Sequence, residues 1–107
     1  MLEHVIGCAS SVSQAAGLAG LNGPFEPVSQ MVAAYERRRQ LVIDAFDGLP
    51  KVRLVPPLGA FYAFPNVGEP GEEVAERLAS EAGVLVVPGS TLGVQGRNHI
   101  RLSFAGA

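Results

Sequence analysis

This chain is poor in lysine, cysteine, tryptophan and charge, and each shortage narrows what it can do. Its 107 residues include one lysine, Lys51, one cysteine, Cys8, and no tryptophan. A lone cysteine cannot close an internal disulfide, so a reducing, cytoplasmic setting is expected. His4 and Cys8 stand four residues apart, as two metal ligands on a helix would, but His99 is the only other histidine. A zinc site needs more ligands than that, so no metal is expected. No basic group neighbours Cys8 in sequence, so an inert or buried thiol is expected there. Charged residues make up 17% of the chain and the net charge is −2. That leaves no strong field to gather nucleic acid or an acidic membrane. No apolar run is long enough to span a bilayer, and the first residues lack the basic and apolar regions of a signal peptide.

What is present suffices for one core. The chain is 48% hydrophobic, and its mean hydropathy is +0.25. Ser11 and Gln14 fit a capping box opening a helix to about Leu21, which stops at Asn22-Gly23-Pro24. Gly17 and Gly20 weaken that helix, so close packing is expected to stabilise it. A longer helix is expected from Pro27 to Leu49, with Val28, Met31, Val32, Tyr35, Val42, Phe46 and Leu49 as its apolar stripe. Arg37, Arg38 and Arg39 interrupt the stripe and read as a solvated or salt-bridged surface.

Two strands, 52–55 and 60–64, flank the turn Pro56-Pro57-Leu58-Gly59 and form a hairpin-like pair, with Tyr62 and Phe64 sharing a face. A helix over Glu72–Ala82 carries Glu72 and Glu73 in its first turn, where the helix dipole favours them, and Gly83 is its left-handed stop. The apolar run Val84–Val87 predicts a buried strand. Pro88 to Gly96 is a loop, and His99–Phe104 is the last strand. This order reads as α+β: a small antiparallel or mixed sheet with helices packed mainly on one face.

The last strand carries the most informative chemistry. Alternation places His99, Arg101 and Ser103 on one face and Ile100, Leu102 and Phe104 on the other. An arginine anchored this way can present a rigid two-pronged donor to a carboxylate. By spacing alone, a strand arginine also fits a solvated surface position.

Several motifs narrow the choice. They are Ser10-Ser11-Val12-Ser13-Gln14-Ala15-Ala16, Tyr35-Glu36-Arg37-Arg38-Arg39-Gln40-Leu41, Pro57-Leu58-Gly59-Ala60-Phe61-Tyr62-Ala63-Phe64-Pro65, Glu81 to Ser90, and Ile100-Arg101-Leu102-Ser103-Phe104-Ala105. In that order and spacing they resemble the C-terminal part of class I/II aminotransferases, the fold-type-I pyridoxal-phosphate enzymes of the aspartate aminotransferase type. The resemblance covers about Cys8 to Ala105. It implies residues 1–23 as a helix from the inter-domain region, and 24–107 as a C-terminal small domain lacking its final helix. It also implies that Arg101 holds the α-carboxylate of an amino acid or 2-keto acid. The Schiff-base lysine, the phosphate-binding residues and the aspartate that pairs with the pyridine nitrogen belong to an upstream large domain. Lys51 lacks the family's Ser-x-x-Lys context and reads as a solvated turn residue.

The resemblance therefore implies pyridoxal phosphate in the parent family, with none bound covalently to this fragment. It implies no catalytic residue in this chain, a homodimeric parent, and a fragment inactive alone. The alternative is a stand-alone, non-catalytic module that binds a small molecule or a partner. Three weaker candidates remain. His99 reads as an edge-strand histidine in water, Tyr62 as a core or cleft aromatic, and Gly89-Ser90-Thr91-Leu92-Gly93 as an ordinary loop, since it lacks the ending of a P-loop.

Overall fold

The computed structural model describes residues 7–106. The chain divides into two compact units, Met1–Gln30 and Met31–Ala107, and the division lies within a helix. In the first unit α1 spans Ser11–Asn22. Ser10 takes the cap position without a side-chain capping bond. Gln14 reaches back past it, and its Nε2 donates to the Ala9 carbonyl at 2.9 Å. The expected Ser11–Gln14 capping box does not form. None of the α1 residues is buried, and a Cβ on Gly17 or Gly20 would meet nothing within 4 Å. The close packing expected around these glycines is absent among the described residues. A helix of twelve residues is marginal in water without tertiary contacts.

α2 spans Glu26–Phe46 and continues into the second unit. Its covered face there is Ala34, Tyr35, Arg38, Arg39, Val42, Ile43 and Phe46. Met31 and Val32 are more than half exposed, and Leu49 lies beyond the helix. Of the solvated or salt-bridged surface expected for the three consecutive arginines, Arg37 is exposed and Arg39 is salt-bridged, while Arg38 and Arg39 are also half-buried. Arg38 Nη1 donates to the Ala105 carbonyl at 2.7 Å, and Arg39 Nε donates to the Pro57 carbonyl at 2.6 Å. Arg39 also pairs with Glu36 at 3.0 Å. Long side chains can bury their stems while their charged ends satisfy carbonyls that would otherwise lack donors.

The second unit continues with β1 (Tyr62–Ala63), α3 (Gly71–Ala82), β2 (Val87–Pro88) and β3 (Ile100–Ser103). The fold is α+β, with a three-stranded antiparallel sheet in the order β1-β3-β2. Tyr62 faces Ser103 and Ala63 faces Leu102. The ladder runs past both strand ends. Phe104 N donates to Phe61 O at 3.0 Å, Ile100 N to Pro65 O at 3.2 Å, and Val67 N to Asn98 O at 2.8 Å. On the other side Val87 faces Arg101, and Pro88 faces Ile100.

The expected strands shrink, and 60–64 pairs with β3 rather than as a hairpin with 52–55. Residues 52–55 contribute a single bridge, Arg53 to Asn66, because the prolines of Pro56-Pro57 offer no N–H to extend the pairing. In the run 84–87 only Val87 pairs, while Leu85 is 88% exposed. An unbroken apolar run does not by itself say whether the chain is covered.

Within the second unit, α3 and the end of α2 that carries Tyr35 lie on one face of the sheet. Val74 of α3 packs with Val67 and Ile100, flanked by Leu78 and Val86. Burying Ile100 to 3% exposure contributes about 1.5–3 kcal/mol. Tyr35 of α2 stacks on Phe61, centroids 6.1 Å apart, beside the buried Phe104. Gly83 ends α3 at φ 66°, and its N–H caps the Leu78 carbonyl.

The segment between β2 and β3 forms two short 3-10 turns, Gly89–Leu92 and Val94–Gly96. Gly89 N donates to His99 O at 2.8 Å. A Cβ on Gly89 would sit 2.3 Å from Gly96 O and 2.9 Å from His99 Cβ, so backbone fills the space a side chain would need. From outside, Ser90 Oγ donates to a Glu72 carboxylate oxygen. That bond, then a backbone bond within Glu72 and the charge of Arg97, holds the Glu72 carboxyl below its ordinary value.

Two measurements follow from this loop. Gly89→Ala should lower stability in urea by about 1–3 kcal/mol, the usual cost of overpacking. Gly59→Ala, whose Cβ meets nothing within 4 Å, should leave the midpoint unchanged. Equal midpoints would refute the tight approach. The second concerns acid. Because the folded Glu72 value lies below 4.5, its stabilisation is complete above that pH and is lost as pH falls through the lower folded value. Glu72→Gln and Ser90→Ala should therefore flatten the acid limb of thermal stability below about pH 4.5. Wild-type acid sensitivity in both variants would count against the contact.

Candidate carboxylate-binding site

The face of the sheet opposite the helices carries Tyr62, Phe64, His99 and Arg101. β3 is the central strand, so Arg101 is flanked on both sides, by β2 through Val87 and by the β1 chain. Its neighbour Ile100 is among the most buried residues, which anchors the backbone beneath the guanidinium. The Arg101 Cζ lies 4.8 Å from the centre of the Tyr62 ring. A cation over an aromatic face is attracted to it, by about 0.5–1 kcal/mol at an exposed site, and the ring also limits the directions the guanidinium can take. Among the described residues no carboxylate pairs with Arg101.

One step along the sheet, Phe64 and His99 stack with centroids 4.8 Å apart and planes 13° from parallel. His99 is half-buried and bridges to Asn66. It is not the edge histidine in water expected from sequence. Its Nδ1 is buried without a hydrogen-bond partner among the described residues. These four side chains form the floor of a cleft of ≈ 740 Å³. Leu92, Gly93, Val94 and Gln95 of the 3-10 turns form its wall. The Gly89-to-Gly93 segment is therefore a wall of the cleft, set in place by the approach of Gly89 to Gly96 and by Ser90 on Glu72.

The structure brings Arg101, Tyr62 and His99 together, and Lys51 stays apart from them. Lys51 is an exposed turn residue at φ 69° and does not line the cleft. Cys8 is exposed rather than buried. His4 lies outside the described residues, and no metal-binding cluster occurs among those described. No helix among them is long and apolar enough to cross a membrane. Phe64 was not singled out from sequence as a site residue. The signal was there, since it shares a face with Tyr62, but the cross-strand pairing that brings it against His99 was not.

The cleft can bind an anion through Arg101 and apolar matter through its aromatic floor. It offers no amine for a Schiff base and no second arginine or lysine for a phosphate. The residues present do not form a seat for pyridoxal phosphate.

Comparison with known proteins agrees with the motifs. The chain is 35% identical to the aspartate aminotransferase of Pyrococcus horikoshii, over 95% of this chain and 27% of that protein. It is 42% identical to aromatic-amino-acid aminotransferase 2 of Thermococcus litoralis, over 78% of this chain and 22% of that one. In structure it superposes on MJ0684 of Methanococcus jannaschii, described as similar in its active site to kynurenine aminotransferases. The TM-score is 0.90 at 34% identity, covering 98% of this chain and 28% of that one. This chain spans about a quarter of the length of these relatives. The profile of aminotransferase class I and II matches residues 1–107, and the chain belongs to that family.

Proposed function

We propose that this chain is the C-terminal, substrate-binding part of a pyridoxal-phosphate-dependent aminotransferase that moves an amino group between an amino acid and a 2-keto acid. Residues 24–107 are its small domain and 1–23 a helix from the inter-domain region. Arg101 grips the α-carboxylate of the substrate. The observation that carries this reading is a central-strand arginine, held over Tyr62, whose guanidinium meets no carboxylate among the described residues. A guanidinium stays charged at every working pH and can bond a carboxylate through two parallel N–H groups. Fixing the carboxylate orients the Cα–H bond for proton removal. The cofactor and its lysine reside on an upstream large domain of a cytoplasmic, homodimeric enzyme.

The exposed apolar surface supports a larger assembly. Leu21, Val55, Leu58, Leu85 and Val94 are each more than 80% exposed, and α1 buries nothing among the described residues. Soluble monomers rarely leave so much apolar surface in water.

Two experiments test the proposal. The isolated chain should not transaminate. After mixing with pyridoxal phosphate and borohydride reduction, mass spectrometry should find no saturable, stoichiometric adduct on Lys51. Such an adduct would place a cofactor site on this chain and overturn the reading. In the full-length enzyme, Arg101→Ala should lower kcat/KM by about 100-fold, near 3 kcal/mol of transition-state binding. Arg101→Lys should recover little, because it keeps the charge and loses the fork. Unchanged kcat/KM in Arg101→Ala would remove Arg101 from the site.

A further inference from the structure

We infer that Asn22-Gly23, in the link between α1 and α2, is a self-modification site, where the Asn22 carboxamide converts to a carboxylate through a backbone succinimide. The chain holds three asparagines, Asn22, Asn66 and Asn98, and three observations single out the first.

The first is the nucleophile, the backbone nitrogen of the next residue. α1 ends at Asn22, and Gly23 follows it at φ −74° and ψ 173°. Among the described residues no acceptor meets the Gly23 N–H in hydrogen-bond geometry. α2 ends differently, since Asp47 N donates to Ile43 O at 3.1 Å. The amides that follow the other two asparagines are also engaged. Val67 N donates to Asn98 O at 2.8 Å, and His99 N donates to Gly96 O at 2.8 Å. An amide held in such a bond must break it before it can attack.

The second is the electrophile. The Asn22 side chain is exposed. Asn66 is half-buried, and its Oδ1 accepts the Gly68 N–H at 2.9 Å, which holds that carboxamide against the wrong amide. Asn98 is exposed as well, so exposure alone does not choose between it and Asn22. The engaged His99 N–H does.

The third is room to close the ring. Gly23 brings no Cβ against the forming five-membered ring, whereas Asn66 is followed by a β-branched valine and Asn98 by an imidazole. Closure also requires Asn22 to leave its helical conformation. α1 has twelve residues and buries none of them, so its last turn opens with little loss.

The chemistry needs only water. Gly23 N attacks Asn22 Cγ; the N–Cγ bond forms, the Cγ–Nδ2 bond breaks, and Nδ2 leaves as ammonia with the amide proton. Water then opens the ring. Addition at Cγ yields an aspartate, and addition at the main-chain carbonyl carbon yields an isoaspartate, which puts a methylene into the backbone. Either product places a negative charge at the C-terminal end of α1, the end where the helix dipole disfavours it. Asp47-Gly48 also pairs an acidic side chain with glycine, but a carboxylate is far less open to attack than a carboxamide, and its conversion changes no mass.

The test incubates the folded 107-residue chain in neutral buffer at physiological temperature. Peptide mapping by mass spectrometry reads the amide-to-acid mass gain, and isoaspartyl methyltransferase labelling reads the rearranged backbone. Asn22 should convert at least about 10-fold faster than Asn66 or Asn98, the factor that one hydrogen bond to be opened provides. Denaturation in urea should speed Asn66 and Asn98 while leaving Asn22 within about 2-fold of its folded rate. Asn22→Gln, which would need a six-membered ring, should abolish conversion at this position, and Gly23→Ala should slow it.

Equal rates at the three asparagines in the folded chain would overturn the inference. An intact Asn22 beside a converted Asn98 would do the same. If urea speeds Asn22 as much as the other two, the Gly23 amide is held in the folded chain and the inference fails. Methyltransferase labelling that persists undiminished in Asn22→Gln, with no mass gain, would assign the isoaspartate to Asp47 and overturn it as well.

Discussion

The antiparallel register between residues 61–67 and 98–104 is the constraint on which the rest of the structure depends. Its rungs at Phe61–Phe104, Pro65–Ile100 and Val67–Asn98 decide which side chains share a face. A slip of one residue would turn every side chain of the strand over. In the observed register Phe61, Ala63, Ile100 and Phe104 face the helices, and Tyr62, Phe64, His99 and Arg101 face the cleft. Apolar burial on the first face holds the backbone, so the second face can keep an arginine in place without burying its charge. The two faces are one device, in which packing on one side supplies the rigidity of the other.

Around that sheet, positioning is done by backbone contacts more than by a large core. Among the described residues the buried hydrophobic ones are few: Ala63, Val67, Val74, Ile100 and Phe104. Arg38 and Arg39 tie α2 to the carbonyls of Ala105 and Pro57, so charged side chains take the place of further apolar packing. Gly71, Gly89 and Gly96 let backbone segments approach where a Cβ would collide, at 2.1–2.3 Å from a facing carbonyl oxygen. The cleft wall therefore stands on glycine contacts and on Ser90 with Glu72. Small changes there should alter the site before they alter the sheet.

Part of this was legible in the sequence, and for stated reasons. The helix expected at Glu72–Ala82, and found at Gly71–Ala82, followed from its apolar spacing, its two early glutamates and Gly83 as its left-handed end. The pairing of His99 with Arg101 and of Tyr62 with Phe64 on common faces followed from strand alternation. Both are local properties, set within a few residues. The strand expected at 52–55 and the buried run at 84–87 failed because pairing and cover come from elsewhere in the chain. The bonds of Arg38 and Arg39 to the Ala105 and Pro57 carbonyls were hidden for the same reason. A charge on a helix reads as solvated until a distant carbonyl is placed against it.

The sequence by itself determined the family, the α+β class and Arg101 as the residue to watch, because ordered motifs and short-range periodicity are written directly in the order of residues. Only the tertiary structure decided that Tyr62 lies beneath the Arg101 guanidinium, that Phe64 stacks on His99, and that the loop after β2 becomes a cleft wall. Those contacts join residues about 30 to 40 positions apart. Whether they form depends on which strands hydrogen-bond and in what register, a choice made by the energy of the whole sheet rather than by any one stretch of it.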